Sequence, residues 1–241
     1  MWDYFNKLYR GGFADFCQEL SGKLDREEKA FVVTANPETL MIAESDPAYA
    51  QILRDPQTTI VPDGIGVVKA ANMLSIPLTE RVTGVEVVQC LFELLNEKQR
   101  SLYLLGAKKE VLDKLVDRIS SEYPGIRLLG HCDGYVQDKD SVFEGIVSLQ
   151  PDVTLVALGI PQQELLISKY FDRFQKGIFI GVGGSFDVLS GTKKRAPAIF
   201  IKLNLEWLYR IACEPKRIKR FYNSNVKFIF KVKNMQKHAP K

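Results

Sequence analysis

Short apolar runs of strand length recur along the chain, each followed by a stretch with helical periodicity, and this alternation admits few folds. The runs are Phe31–Ala35, Thr58–Val61, Ser101–Leu105, Arg127–Leu129, Val153–Leu158 and Gly177–Val182. Between them, Asn36-Pro37-Glu38 opens a helix, with Asn as N-cap and Pro in the first turn. Helices are also expected over Val67–Leu74, Val85–Leu95, Lys109–Glu122 and Val142–Leu149, and around Leu165, Leu166 and Tyr170. Strands that are apolar on both faces belong in a sheet covered on both sides. The expected fold is therefore α/β, a Rossmann-like and mostly parallel sheet with helices on both faces.

The composition changes near Arg195. Residues 195–241 carry twelve Lys/Arg against two acidic residues, Glu206 and Glu214, which leaves 21 basic and 27 acidic residues in the rest of the chain. We divide the chain accordingly, into a core over residues 1–194 and a basic amphipathic appendage over residues 195–241. Ile199, Phe200, Leu203, Leu205, Trp207, Leu208 and Ile211 alternate there with basic residues, a pattern for helices that face a membrane. A basic tail on a mildly acidic body calls for an anionic partner: phosphate groups, a membrane surface or nucleic acid.

Several function classes lose support at once. No apolar run reaches the roughly 18 residues of a membrane-spanning helix, and the N-terminus lacks a signal-peptide pattern. Cys17, Cys90, Cys132 and Cys213 are widely spread without a C-x-x-C pair, so they read as separate thiols of a reducing cytoplasm. Only His131 and His238 are present, which gives little for a histidine metal site or a catalytic triad. Asp138-Lys139-Asp140 matches the D-x-D pattern of many metal-dependent sugar transferases, but it follows no apolar strand and reads as a solvated loop.

In open parallel sheets, ligands bind beyond the carboxyl ends of the strands. Four clusters fall at such ends: Thr34-Ala35-Asn36-Pro37, Pro62-Asp63-Gly64-Ile65-Gly66, Gly159-Ile160-Pro161-Gln162-Gln163-Glu164 and Gly181-Val182-Gly183-Gly184-Ser185-Phe186-Asp187. Asp63 stands out as a carboxylate between a strand and a helix, placed to accept a proton from a hydroxyl or simply to cap the helix. Gly183 and Gly184 let backbone approach a phosphate closely. The spacing is neither a G-x-G-x-x-G fingerprint nor a P-loop, so NAD and ATP are not implied. Asp187 suits a ribose or base, or a cap, and Arg81 suits a phosphate, a carboxylate or an ordinary ion pair.

These clusters, in this order, resemble the WecG/TagA/CpsF glycosyltransferase family. Beyond those quoted, the resemblance rests on Arg81-Val82-Thr83-Gly84, Tyr103-Leu104-Leu105-Gly106-Ala107, Arg195-Ala196-Pro197, Leu203-Asn204-Leu205-Glu206-Trp207-Leu208-Tyr209-Arg210 and Glu214-Pro215-Lys216-Arg217. It covers about Phe31 to Phe221. The resemblance implies an inverting transferase without metal or other cofactor, active in wall teichoic acid, capsule or exopolysaccharide synthesis. Its members move N-acetylmannosamine or a related sugar from UDP onto N-acetylglucosamine linked through diphosphate to undecaprenol. The implied roles are Asp63 as general base, Thr34, Asn36, Arg81 and Gln163 as substrate-binding residues, and Arg210, Arg217 and Arg220 as holders of the diphosphate. Gly183, Gly184 and Asp187 join the substrate-binding set by position. The expected partners are a UDP-sugar, a lipid-linked acceptor, an anionic membrane surface and further copies of the chain, but not nucleic acid. The expected location is the cytoplasm, peripheral on the inner face of the plasma membrane.

One departure concerns the N-terminus. Family members usually begin with an extra strand, whereas Met1–Leu24 shows Trp2-Asp3-Tyr4-Phe5 and then a helical pattern around Phe13–Leu20. The competing functional reading is a non-catalytic UDP-sugar-binding or scaffold protein of the same pathway.

Overall fold

The computed structural model describes residues 1–78 and 80–237, leaving aside the side chains of Ala198, Arg210, Arg217 and Arg220. Thr79 and His238 fall outside the described residues. In chain order the elements are α1 (Trp2–Asn6), α2 (Phe13–Asp25), β1 (Lys29–Ala35), α3 (Pro37–Ala43), α4 (Pro47–Arg54), β2 (Thr58–Pro62), α5 (Ile65–Met73) and α6 (Gly84–Glu97). There follow β3 (Ser101–Gly106), α7 (Lys109–Glu122), β4 (Arg127–Cys132), α8 (Lys139–Leu149), β5 (Val153–Ala157), α9 (Gln162–Tyr170), β6 (Gly177–Gly181) and α10 (Ser185–Leu189). The appendage forms α11 (Ala198–Lys202), α12 (Glu206–Cys213), α13 (Arg217–Phe221), a π turn over Tyr222–Val226, and α14 (Lys227–Lys237).

The six strands form one sheet in the order β2-β1-β6-β5-β3-β4, and every adjacent pair is parallel. Strand composition marks one edge of it. β5 and β6 are buried at every position and lie inside the sheet, while β4 alternates between exposed and half-buried positions and forms an edge. Alternate residues of each strand feed two cores. Phe31, Val33, Ile60, Val156 and Phe179 face α1, α3, α4, α5, α8, α9 and α14. Val32, Val61, Leu104, Leu155 and Ile180 face α2, α6, α7 and α10. Burial of a side chain such as Phe179, fully buried and 4.4 Å from the Phe174 ring, stabilises the fold by about 1.5–3 kcal/mol.

The N-terminal departure has a structural counterpart. The segment adds no strand; it runs along the outer edge of β2 with a single parallel bridge, Leu8 to Ile60, where Tyr9 N donates to Ile60 O at 2.8 Å. That bridge covers part of an edge that would otherwise present unpaired backbone groups.

Two of the spread cysteines meet: Cys17 of α2 and Cys90 of α6 face each other, with Cα atoms 6.4 Å apart, because these two helices pack side by side on the same face of the sheet. Cys132 and Cys213 are free. Among the described residues, no helix is long and apolar enough to cross a membrane. The end of the appendage belongs to the packed body: Phe228 and Val232 of α14 are fully buried in the first core.

Candidate active site

The chain leaving β1 passes to one face of the sheet (α3, α4), as does that leaving β5 (α9), whereas the chain leaving β6 passes to the other (α10). Adjacent strands whose connections diverge in this way open a crevice at their carboxyl ends. Thr34, Asn36, Asp63, Gln163, Gly183, Gly184 and Asp187 all stand at this end of the sheet, on the loops after β1, β2, β5 and β6.

Asp63 is half-buried, directly after β2, and its own N–H donates to Ala35 O at 2.9 Å. Its Oδ1 accepts the Gly84 N–H at 2.8 Å. Gly84 is the first residue of α6, so the carboxylate is oriented by the head of a helix 21 residues onward. The adjacent helix α5 is capped by Gly64, so Asp63 does not serve as that helix's cap. Val82 N donates to Pro62 O at 2.9 Å and pins the Arg81–Thr83 segment beside Asp63.

The other loops close in around it. Asn36 Oδ1 accepts the Glu38 and Thr39 N–H groups at 2.9 and 3.1 Å, which makes it the N-cap expected of α3. A Cβ on Gly64 would lie 3.2 Å from Asn36 Cβ and from Pro37 Cδ, so the loops after β1 and β2 pack directly. A Cβ on Gly84 would meet Thr34 Cγ2 at 3.4 Å and Ser185 Oγ at 3.6 Å, which brings the ends of β1 and β6 to the head of α6. Thr34 Oγ1 donates to Gly181 O at 3.3 Å across that junction.

Gln163 is buried, and its amide holds two loops together: Oε1 accepts the N–H groups of Gly159 and Gly183, each at 3.1 Å. Gly183 sits at φ +47°, a conformation that favours glycine. Its amide points at Gln163, while Gly184 caps the short α10. Asp187, on α10, lies 3.7 Å from Lys193, which also pairs with Glu214 at 3.1 Å.

Arg81 forms an ion pair with Glu206 of α12 at 2.7 Å, both side chains mostly buried. A second pair joins Arg195 to Glu86 of α6 at 2.7 Å, and Thr83 Oγ1 donates to the other Glu86 oxygen at 2.6 Å. Burial pushes the Glu86 carboxyl up, but the Thr83 hydroxyl and the Arg195 guanidinium outweigh it and hold it below the usual carboxylate range. These two pairs fasten the appendage beside Asp63. At its other end, Asn225 of the π turn comes within 4.0 Å of a Cβ placed on Gly66. Arg210, Arg217 and Arg220 lie on α12 and α13, and their side chains are outside those described.

Sequence reading missed Glu86, Glu206 and Arg195 as neighbours of the site, since each meets its partner across more than 100 residues or through a helix cap. It also passed over Glu164, whose burial no local pattern announces. Asp138 caps α8 by accepting the Ser141 N–H at 2.9 Å, and Asp140 pairs with Lys169 and Tyr170. Among the described residues, no three His, Cys, Asp or Glu side chains gather as metal ligands.

Comparison with known proteins gives a consistent picture. A family model described as the glycosyl transferase WecG/TagA/CpsF family matches residues 7–240. The chain is 44% identical over 197 residues to an N-acetylglucosaminyldiphosphoundecaprenol N-acetyl-beta-D-mannosaminyltransferase of Bacillus subtilis (strain 168), covering 82% of this chain and 77% of that protein. It is 41% identical to the protein of the same description from Bacillus spizizenii, over 82% of this chain and 76% of that one. The corresponding Staphylococcus aureus (strain NCTC 8325 / PS 47) protein is 36% identical over 212 residues, 88% of this chain and 82% of its own.

Proposed function

The chain belongs to the WecG/TagA/CpsF family of glycosyltransferases, and from that membership we propose that it moves N-acetylmannosamine, or a related sugar, from a UDP-sugar onto N-acetylglucosamine linked through diphosphate to undecaprenol. The names of its relatives support the transferred sugar and the acceptor, and such a reaction suits the building of wall polymers such as teichoic acid.

One observation carries the chemistry: Asp63 stands at a strand end with its carboxylate oriented by the Gly84 amide. In the proposed step the acceptor hydroxyl attacks the anomeric carbon and Asp63 takes the hydroxyl proton. The bond from that carbon to the diphosphate oxygen breaks, and UDP leaves with the electron pair. One attack inverts the anomeric centre, so one base suffices. The charge that grows on UDP is met by cationic side chains without metal. Arg81 is one; Arg210, on the helix that Glu206 fastens to Arg81, and Arg217 and Arg220, on the helix after it, are the others. Glu206 holds the Arg81 guanidinium in place until the diphosphate exchanges with it.

The acceptor is a lipid, and the appendage suits its surface. Ile199, Leu203, Leu208 and Ile218 are exposed on α11, α12 and α13 or beside them, together with Lys202, Lys216 and Lys219. Exposed apolar groups among cations favour docking on an anionic bilayer, here the cytoplasmic face of the plasma membrane. The test is a screen of UDP-sugars against a lipid-diphosphate N-acetylglucosamine acceptor in anionic vesicles, read by mass, with and without EDTA. A product heavier by one N-acetylhexosamine residue, formed equally with EDTA, is expected. Binding of UDP with no product from any donor would favour a scaffold, and loss of product in EDTA would overturn the metal-free step.

A further inference from the structure

Gln163 and Glu164 open α9 as a buried pair, each 1% exposed, beneath the carboxyl ends of β1, β5 and β6. Gln163 Nε2 donates to Glu164 Oε1 at 2.7 Å, and Gln163 Oε1 accepts from Gly159 and Gly183. Three partners fix the amide in one sense, because a flipped amide would turn its NH2 toward two N–H donors. Glu164 is the partner that reinforces that sense from outside the loops. Gly181 leaves room for the pair: a Cβ there would lie 2.5 Å from Gln163 Nε2 and 2.6 Å from Glu164 Oε1.

The second carboxyl oxygen, Oε2, is buried without a hydrogen-bond partner, and no ion pair to Glu164 forms among the described residues. An ionised carboxylate left so is costly, while the neutral acid is much less so. The titratable groups on the elements packed against α9 do not relieve it. On α4, Tyr49 is buried, and burial, followed by the nearby Glu164 carboxyl, pushes its pKa well up. Also on α4, Asp46 caps the helix and Arg54 ends it, pairing with Asp3. On α8, Asp140 pairs with Lys169 and Tyr170, and Glu144 with Arg173, all at the far end of α9 or just past it. β6 carries no ionisable side chain. Burial therefore raises the Glu164 carboxyl to about 7, against the smaller opposing effects of the Gln163 amide and of its own backbone N–H.

We propose that Glu164 is a positioning residue for sugar transfer: as the neutral acid it orients the Gln163 amide that ties the loops after β5 and β6 together, and its ionisation loosens that tie. This rests on the transferase reading only in placing the donor diphosphate against those loops. The sign follows from the raised value: below it the acid is neutral and the loops are held, and above it the charged form seeks water and the loops relax.

The experiment measures hydrogen-exchange protection of the Gly159 and Gly183 amides and UDP affinity by calorimetry, each at pH 6 and pH 8, in the full chain and in Glu164→Gln and Glu164→Ala. In the unsubstituted protein, protection at Gly183 is expected to fall by about tenfold between the two pH values, the worth of one hydrogen bond, with UDP affinity falling alongside. Glu164→Gln, which stays neutral and keeps an acceptor oxygen, is expected to preserve protection and affinity at both pH values. Glu164→Ala is expected to lose protection at both; if it fails to fold, the Glu164→Gln comparison decides alone. A Glu164→Gln protein that keeps the full pH response, or an unsubstituted protein that shows none, overturns the proposal. Failure of the unsubstituted protein to bind UDP, with the protection pattern intact, counts against the transferase reading and leaves the amide tie standing.

Discussion

Replacing Asp63 by Asn separates the chemistry of that side chain from its structural bond. Asn keeps an oxygen for the Gly84 N–H, now 2.8 Å from Oδ1, and loses the negative charge. The structural cost is the difference between a hydrogen bond to a charged group and one between neutral groups, about 1 kcal/mol. In a chain of this size that lowers the melting midpoint by about 2–4 °C. The chemical cost is the loss of a general base, about 10²–10⁴ in rate, which is about 3–5 kcal/mol on the activation barrier. Three measurements keep the two apart: a melting curve, UDP affinity by calorimetry, and transfer to the lipid-diphosphate acceptor followed by mass. Turnover should collapse while the melting point moves by a few degrees and UDP affinity holds. Turnover at the level of the unsubstituted protein would refute the role of Asp63 as base. A melting point displaced far beyond that range would show that the Gly84 bond carries more of the fold than its geometry implies.

Two further expectations follow from other carboxyls. Glu206→Gln removes the charge that faces Arg81 at 2.7 Å, so UDP should bind more tightly by about fivefold, the worth of about 1 kcal/mol; calorimetry at equal salt would show it, and weaker binding would mean that Glu206 serves to place Arg81 rather than to compete for it. Glu164 also links stability to pH. Its folded carboxyl titrates at about 7, above its value in the unfolded chain, so its stabilising contribution is complete below the ordinary carboxylate range and is lost as pH rises through about 7. The urea midpoint of the unsubstituted protein should therefore drop from pH 5 to pH 8 more steeply than that of Glu164→Gln, and parallel slopes would contradict it.

Much of the fold was legible because its signals are local. The six strand runs, the Asn36-Pro37 helix start and the stop after Glu122 all depend on neighbours within a few residues. The helix α4 was missed although Asp46-Pro47 repeats the signal of Asn36-Pro37: an acceptor side chain at the cap, then Pro in the first turn. The position of Asp63 was legible; its partner was not. The Gly84 amide reaches it only because the Arg81–Thr83 segment is pinned along the end of β2. The same holds for strand order, for the approach of Cys17 to Cys90 and for the Arg81–Glu206 pair, since each is decided by which elements share a face. The family resemblance supplied roles for Arg81 and Gln163, yet gave no sign that one faces a carboxylate and the other spans two glycine loops.

The burial of Phe228 and Val232 changes what kind of object the appendage is. Residues 196–226 are not a tail with a loose end. They form an arch, footed at Arg195 on Glu86 and at α14 in the core. A tail that lets go diffuses away, whereas an arch that lets go at one foot remains beside its footing at an effective concentration of about a millimolar. Release at one foot is thereby a short excursion that reverses by itself.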